Sequence, residues 1–201
     1  MSRWRASPTQ LAVLLAGLWT FGSGEALLVH SELGNSPWTV LAAGVSDQTG
    51  IGVGEATVAI SFVVLAMWIP LRERPGLGTI ANAIVIGVAI GVTLELMPAV
   101  DPLAARIAEV AAGIALVALG SGLYLMTRLG AGPRDGLMLG LHRRTGLSVR
   151  LVRTAIESSV VVAGFLLGGT VGAGTLAFAL LIGPGVQAAL GLLSATPAHE
   201  L

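Results

Sequence analysis

The sequence predicts an all-α polytopic membrane protein of six transmembrane helices, arranged as two inverted three-helix repeats that each contain a short half-helix. Three observations support this fold class. Only 11% of the 201 residues are charged and 54% are hydrophobic, and so few charges do not cover a water-exposed surface. Charge-free stretches recur at the length of a membrane span. Matching residues recur at a constant offset of 96 positions. We expect residues 1–201 to form a single membrane domain.

Six apolar stretches are long enough to cross the hydrocarbon core, which requires about 20 residues. From Ser158 to His199 the chain has 42 residues without a formal charge, which is too long for one crossing. Gly168-Gly169-Thr170 offers a turn that divides this stretch into two spans. The predicted helices cover about 10–30, 51–72, 77–98, 105–127, 147–168 and 171–194.

The first helix follows Arg3 and Arg5, an order that also occurs in secretory signal peptides. Five further predicted spans come after it, and no convincing small-residue cleavage site follows it directly. We therefore expect an uncleaved first span.

The arginines predict the orientation. All eleven basic residues are arginine, and they alternate between the connections: the segment 31–50 has none, whereas the connection around Arg143 and Arg144 is rich in them. The positive-inside rule then places both termini in the cytoplasm of an inner-membrane protein. The eleven acids balance the eleven arginines, so no net charge favours nucleic acid as a partner.

The internal repeat is visible in the motif LGNSP at 33–37, which corresponds to LGAGP at 129–133. The two copies cover about 10–98 and 105–194. Each holds three crossings, an odd number, so the copies must face opposite ways across the membrane. Inverted repeats are common in secondary transporters, whose substrate site lies near the midplane between the halves. The alternative is a duplicated bundle without a pathway.

Two segments, 36–49 and 133–145, are too short to span the membrane. Pro37 and Pro133 suit the first helical position, and Gly50 and Gly146 can terminate a helix. These segments predict half-helices that are either re-entrant or interfacial. A re-entrant pair would aim two positive helix ends inward from opposite faces, whereas the arginines of the second segment favour the interface.

At these motifs the chain resembles the YczE/YyaS/YitT-type integral membrane proteins of bacteria. The resemblance rests on LGNSPWTVL at 33–41, Thr49-Gly50, and GTIANAIVIG at 78–87, which recurs as GTLAFALLIGP at 174–184. It covers nearly the whole chain and implies a small multi-span protein, in some cases regarded as a permease, without assigning a substrate. The family pattern has an acid after Pro-Trp, where this chain has Thr39.

Polar residues inside the spans are candidates for a functional site because lipid disfavours them. Arg150, Arg153 and Glu157 are spaced to share one face of the fifth helix. The offset of 96 places Gly54, Thr57 and Ser61 on the same face of the second helix. Two such faces fit a shared polar cavity. We expect Arg150 to extend its charge to the interface, whereas the Arg153–Glu157 pair fits either a structural or a transport role.

Glu25 lies well inside the first helix, in the small-residue sequence Gly22-Ser23-Gly24-Glu25. It either carries an exchangeable proton or is satisfied by a neighbouring hydroxyl group. Asn82, in the third helix, either binds substrate or holds helices together. The predicted substrate-binding residues, which we expect to border one cavity, are Glu25, Thr57, Ser61, Asn82, Arg153 and Glu157.

These features predict a transporter or permease for a small polar or charged solute, coupled to protons through Glu25. One alternative is a membrane scaffold that moves nothing. An intramembrane enzyme is less favoured, because hydrolysis requires a nucleophile and base or paired metal ligands, and His30 has no evident serine partner. The sequence predicts no cofactor and no metal site. The expected partners are the lipid bilayer and an unidentified small solute, with homo-oligomerisation left open.

Overall fold

A computed structural model describes residues 3–99 and 101–195, and in these ranges the chain forms eight α-helices and no strand. The helices are α1 (Pro8–Ser31), α2 (Pro37–Thr49), α3 (Val53–Leu71), α4 (Leu77–Leu96), α5 (Leu103–Met126), α6 (Pro133–Thr145), α7 (Val149–Leu166) and α8 (Ala173–Ala195). The six predicted long helices agree with the observed ones to within two residues at each end. The two predicted half-helices are α2 and α6.

Five helices, α1, α3, α4, α5 and α8, are long and apolar enough to cross a membrane. The chain is therefore a polytopic, all-helical membrane protein. Helix α7 has 18 residues but carries three charged ones, Arg150, Arg153 and Glu157, so it is not among these five. The sixth predicted span thus rests on the sequence pattern alone.

Local chemistry explains the helix ends. Ser7 and Gln10 form a reciprocal capping box at the start of α1, where Pro8 is the first helical residue. Helices α2 and α6 begin at proline and end before Gly50 and Gly146, whose φ angles are 76° and 71°. These are the left-handed conformations that glycine adopts readily at a helix C-terminus. The predicted bounds of the half-helices are confirmed.

Helices α1 and α5 cross at the centre of the bundle and run antiparallel. Gly17 lies against Gly120, and Gly24 lies against Gly113 further along both helices. A Cβ atom added to Gly24 would lie 2.7 Å from the carbonyl oxygen of Gly113, so only glycine permits this approach. Helix α4 packs on α1 and helix α8 packs on α5, which leaves the central pair enclosed on both sides.

Two matching contacts tie the helices together at their ends. The backbone N–H of Gly174, at the start of α8, donates to the carbonyl oxygen of Leu33 at 2.8 Å. The N–H of Gly78, at the start of α4, donates to the carbonyl oxygen of Leu129 at 3.0 Å. The two donors and the two acceptors are each separated by 96 positions. The loop before each half-helix therefore holds the last long helix of the other half of the chain.

The two halves differ most in the packing of their last two long helices. Helix α3 packs closely on α4, where Gly54 lies against Gly87 and Gly91. At the equivalent positions α7 has Arg150 and α8 has Gln187. Both side chains are too large for that approach, and within the described ranges α7 does not form the corresponding contact with α8. Helix α7 is attached mainly through α2 instead.

This difference predicts that the same substitution destabilises one half of the protein and not the other. A Cβ atom on Gly87 would lie 2.5 Å from the carbonyl oxygen of Gly54, so Gly87→Ala should destabilise the protein by about 1–3 kcal/mol through overpacking. Thermal unfolding in detergent at a fixed scan rate measures the change.

The equivalent glycine of the other half is the control. A Cβ atom on Gly183 meets nothing within 4 Å, so Gly183→Ala should leave the unfolding temperature unchanged or slightly raised. Equal destabilisation by both substitutions would contradict the packing difference.

Candidate functional site

The first turns of the two half-helices meet in the interior of the protein. Trp38 and Thr39, at the start of α2, are 8% and 0% exposed, whereas Thr49 at its end is exposed. Helix α6 has the same polarity, since Pro133 is buried and Thr145 is exposed. Both half-helices thus point the positive ends of their dipoles inward.

Arg134 and Trp38 form the contact between these two turns. The Cζ atom of Arg134 lies 5.1 Å from the centroid of the Trp38 ring, within the range of a cation–π interaction. The two residues occupy equivalent positions in the offset of 96. This contact between equivalent residues joins the first turns of the two half-helices.

Glu25, on α1, is the buried acid of this region. It is 1% exposed, and the hydroxyl groups of Ser36 and Thr39 donate to its Oε2 atom at 2.7 and 2.8 Å. Its Oε1 atom accepts no hydrogen bond from the residues that the structure describes. The carboxyl group therefore has the hydroxyl partners that the sequence left open as one alternative, together with one oxygen that remains available.

The second half has an equivalent hydrogen bond between an acid and a hydroxyl group, but the two groups lie on the opposite helices. The Tyr124 hydroxyl, on α5, donates to Oδ2 of Asp135 on α6 at 2.8 Å. Asp135 is equivalent to Thr39. In the first half the long helix supplies the acid and the half-helix the hydroxyl; in the second half the roles are reversed. Each half-helix is thereby anchored by a polar bond to the long helix that precedes it.

Arg134 links these groups electrostatically. Its guanidinium lies close enough to the acids Glu25, Asp135 and Glu157 to interact with their charges. Within residues 3–99 and 101–195 it makes no ion pair and no hydrogen bond. The five N–H donors of this half-buried side chain are therefore without an acceptor in the described residues.

The start of each half-helix also has free backbone donors. The N–H groups of residues 38 and 39 on α2, and of 134 and 135 on α6, donate to no acceptor in the described part of the chain. Ser36 precedes α2 but forms no side-chain cap, because its hydroxyl is directed to Glu25. Beside it, Oδ1 of Asn35 is buried without a hydrogen-bond donor. Buried polar groups without partners are unusual away from functional sites.

Of the predicted site residues, the structure brings Glu25, Asn82 and Glu157 towards Arg134. Asn82, half-buried on α4, lies beside Gly132 at the start of α6. Glu157 accepts a 2.8 Å hydrogen bond from Nε of Arg153, whose side chain is 49% exposed. Glu157 thus lies between a half-exposed arginine and the interior one.

Thr57 and Ser61 are both buried on α3, with exposures of 1% and 5%. The Thr57 hydroxyl donates to the carbonyl oxygen of Val53 in its own helix at 2.8 Å. No hydrogen bond in the described ranges connects either residue to Glu25. Their membership of the same cavity stays a prediction.

Five residues around Glu25 and the first turns of the half-helices were not selected from the sequence: Trp38, Thr39, Tyr124, Arg134 and Asp135. A signal for all of them except Tyr124 was present. Extending the matched motifs by two positions pairs Pro37-Trp38-Thr39 with Pro133-Arg134-Asp135, which places an ionisable pair in the first turn of a half-helix. No group of three or more histidine, cysteine or acidic residues in the described chain is arranged to hold a metal ion.

Comparison with known proteins identifies related sequences. The DUF6198 family, a family of unknown function, matches residues 8–190. An uncharacterized protein of Haemophilus influenzae is 43% identical over 98% of this chain and 90% of its own length. In Bacillus subtilis, the uncharacterized membrane protein YczE is 32% identical over 84% of the chain and 79% of its own length, and the uncharacterized protein YyaS is 28% identical over 80% and 82%. No solved structure matches.

The hydrogen bonds from Ser36 and Thr39 to Glu25 predict that removing the Thr39 hydroxyl destabilises the protein. Thr39→Val should destabilise the protein by about 1–3 kcal/mol, because it removes one of the two donors to a buried carboxyl group. Thermal unfolding in detergent measures the change.

Thr49→Val is the matched control on the same helix. The Thr49 hydroxyl is exposed and donates only to the carbonyl oxygen of Val45, so this variant should lie within about 0.5 kcal/mol of the wild type. Indistinguishable variants would show that the hydroxyl of Thr39 does not stabilise Glu25.

Proposed function

The chain belongs to the DUF6198 family, and we propose that it is an inner-membrane transporter or permease for a small polar or charged solute. One observation carries the proposal: the first turns of α2 and α6 meet in the interior, with Arg134 over Trp38 and Glu25 beside them. Broken helices whose ends meet at the membrane centre form the substrate sites of many secondary transporters. The related proteins are uncharacterized and supply no substrate.

We further propose six spans in two inverted repeats, with α7 as the sixth crossing. Helices α6, α7 and α8 each begin 96 residues after α2, α3 and α4, and α1 and α5 run antiparallel. These features support the arrangement. The arginine-rich connections would then lie in the cytoplasm together with both termini.

Glu25 and Arg134 are the proposed coupling pair. A proton on Glu25 removes the negative charge that partly balances Arg134, and electrostatic interactions are strong in a region of low dielectric constant. Arg134 then attracts an anionic group of the solute more strongly. In this scheme Arg134 replaces Arg153, whose partner Glu157 and half-exposed position make it a poorer candidate for contact with the solute.

A membrane scaffold is the second candidate function. It is favoured by the lack of close packing between α7 and α8 in the described residues, which leaves faces of both helices without a helix packed against them there. We do not propose an enzymatic role, because the hydroxyls of Ser36 and Thr39 both donate to a carboxyl group and no histidine is present among these contacts to act as a base.

The topology has a direct test, since the chain has no native cysteine. A cysteine at Asp47 should react with a membrane-impermeant thiol reagent added to intact cells, whereas a cysteine at Arg143 should react only after permeabilisation. The measurement is mass-tag labelling on gels. Reversed labelling, or labelling of both from outside, would rule out the inverted arrangement.

Transport is tested in proteoliposomes that contain a trapped pH indicator. Amino acids, monocarboxylates, sugars and organic cations are added separately, and one class should acidify the lumen in the presence of wild-type protein. Glu25→Gln should abolish this acidification while retaining a monodisperse elution profile, because glutamine cannot carry the exchangeable proton.

Glu95→Gln is the control, since Glu95 is an exposed acid near the end of α4. This variant should acidify the lumen at the wild-type rate. Acidification by Glu25→Gln at that rate would remove Glu25 from the coupling mechanism. A protein that moves no solute class but copurifies with a stable partner would support the scaffold function instead.

A further inference from the structure

One end of the helix bundle has a cavity lined mainly by arginine, with a volume of about 430 Å³. A smaller cavity of about 290 Å³ shares four of its lining residues and continues it. We call the two together the arginine depression. Six of the eleven arginines line it: Arg3, Arg72, Arg74, Arg128, Arg143 and Arg144.

Most of these arginine side chains have no partner among the residues that the structure describes. Glu73 is the one acid in the lining, and it is paired with Arg143. Arg144 donates to the carbonyl oxygen of Pro70 at 2.6 Å. The side chains of the other four arginines make no ion pair and no hydrogen bond in the described part of the chain. The depression therefore presents a large excess of unpaired guanidinium donors.

Two of these arginines occupy unfavourable backbone conformations. Arg72 and Arg128 have φ angles of 58° and 55°, in the left-handed region that favours glycine. The position equivalent to Arg72 in the other half is Gly168, with a φ angle of 101°. An arginine in this conformation strains the backbone, and the side chain of Arg72 lines the depression.

We propose that the arginine depression binds the phosphate group of an anionic phospholipid. Guanidinium groups bind phosphate through paired hydrogen bonds, and clustered basic residues at a membrane surface recognise anionic headgroups. Leu125 and Leu139 border the same depression and are 39% and 38% exposed. Apolar groups next to the arginines suit the glycerol and acyl portion of a lipid, which free phosphate lacks.

The test uses purified full-length protein in a neutral detergent. Short-chain phosphatidylglycerol is titrated, and the dissociation constant is obtained from the rise in unfolding temperature. The double variant Arg72→Gly/Arg128→Gly removes two cations. It also relieves the backbone strain of the left-handed conformation at both positions, so it should fold normally. Its affinity should fall about 25-fold, since each arginine near a charged headgroup contributes about fivefold.

Two control variants should keep the wild-type affinity. Glu32→Gly relieves the equivalent left-handed backbone position, with a φ angle of 53°, at a residue outside the depression. Arg150→Gln removes an arginine that does not line the depression. If the double glycine variant folds poorly, Arg3→Gln/Arg74→Gln removes two unpaired arginines without a change in either left-handed residue and should weaken binding similarly.

Three results would overturn the proposal. The first is wild-type affinity for phosphatidylglycerol in both arginine-depleted variants. The second is equal stabilisation by short-chain phosphatidylcholine, which carries no net charge. The third is equal stabilisation by inorganic phosphate at the same concentration, which would assign the depression to a free anion. None of these measurements depends on transport, so the outcome is separate from that of the uptake assay.

Discussion

The close approach of α1 and α5 is the constraint on which the rest of the structure depends. Gly17 and Gly24 on α1 lie against Gly120 and Gly113 on α5 with no room for a side chain. The hydrocarbon core offers no hydrophobic driving force between helices, so such close packing has to hold them together. This central pair carries Glu25 on one helix and Tyr124 on the other, and it supports α4 and α8 on its two sides.

The interior polar cluster follows from that constraint. The loops after α1 and α5 lead into half-helices whose first turns are buried, and buried backbone and side-chain groups require partners. The hydroxyls of Ser36 and Thr39 meet this requirement for Glu25, and Tyr124 meets it for Asp135. Arg134 is the exception, with the Trp38 ring as its contact and no acceptor for its donors among the described residues. That exception makes the cluster a candidate for contact with a solute.

The two halves share helix positions but differ in side-chain size and charge. Glycine at 54 and 91 lets α3 lie on α4, whereas Arg150 and Gln187 keep α7 away from α8. Six arginines lie at the end of the bundle that holds the arginine depression. One of them, Arg72, occupies the position equivalent to Gly168. The shared spacing of 96 positions keeps the helices in matching places, and these side chains make the packing of the two halves unequal.

The sequence by itself determined the elements and their order: long apolar runs require helices in lipid, and Pro37, Gly50, Pro133 and Gly146 set the half-helix bounds. It also singled out Glu25 as a buried acid. It did not reveal that Trp38 contacts Arg134, because residues 96 positions apart in sequence meet only when both half-helices point inward. Only the tertiary structure decided that pairing, since helix periodicity reports the face a residue occupies and packing determines what that face meets.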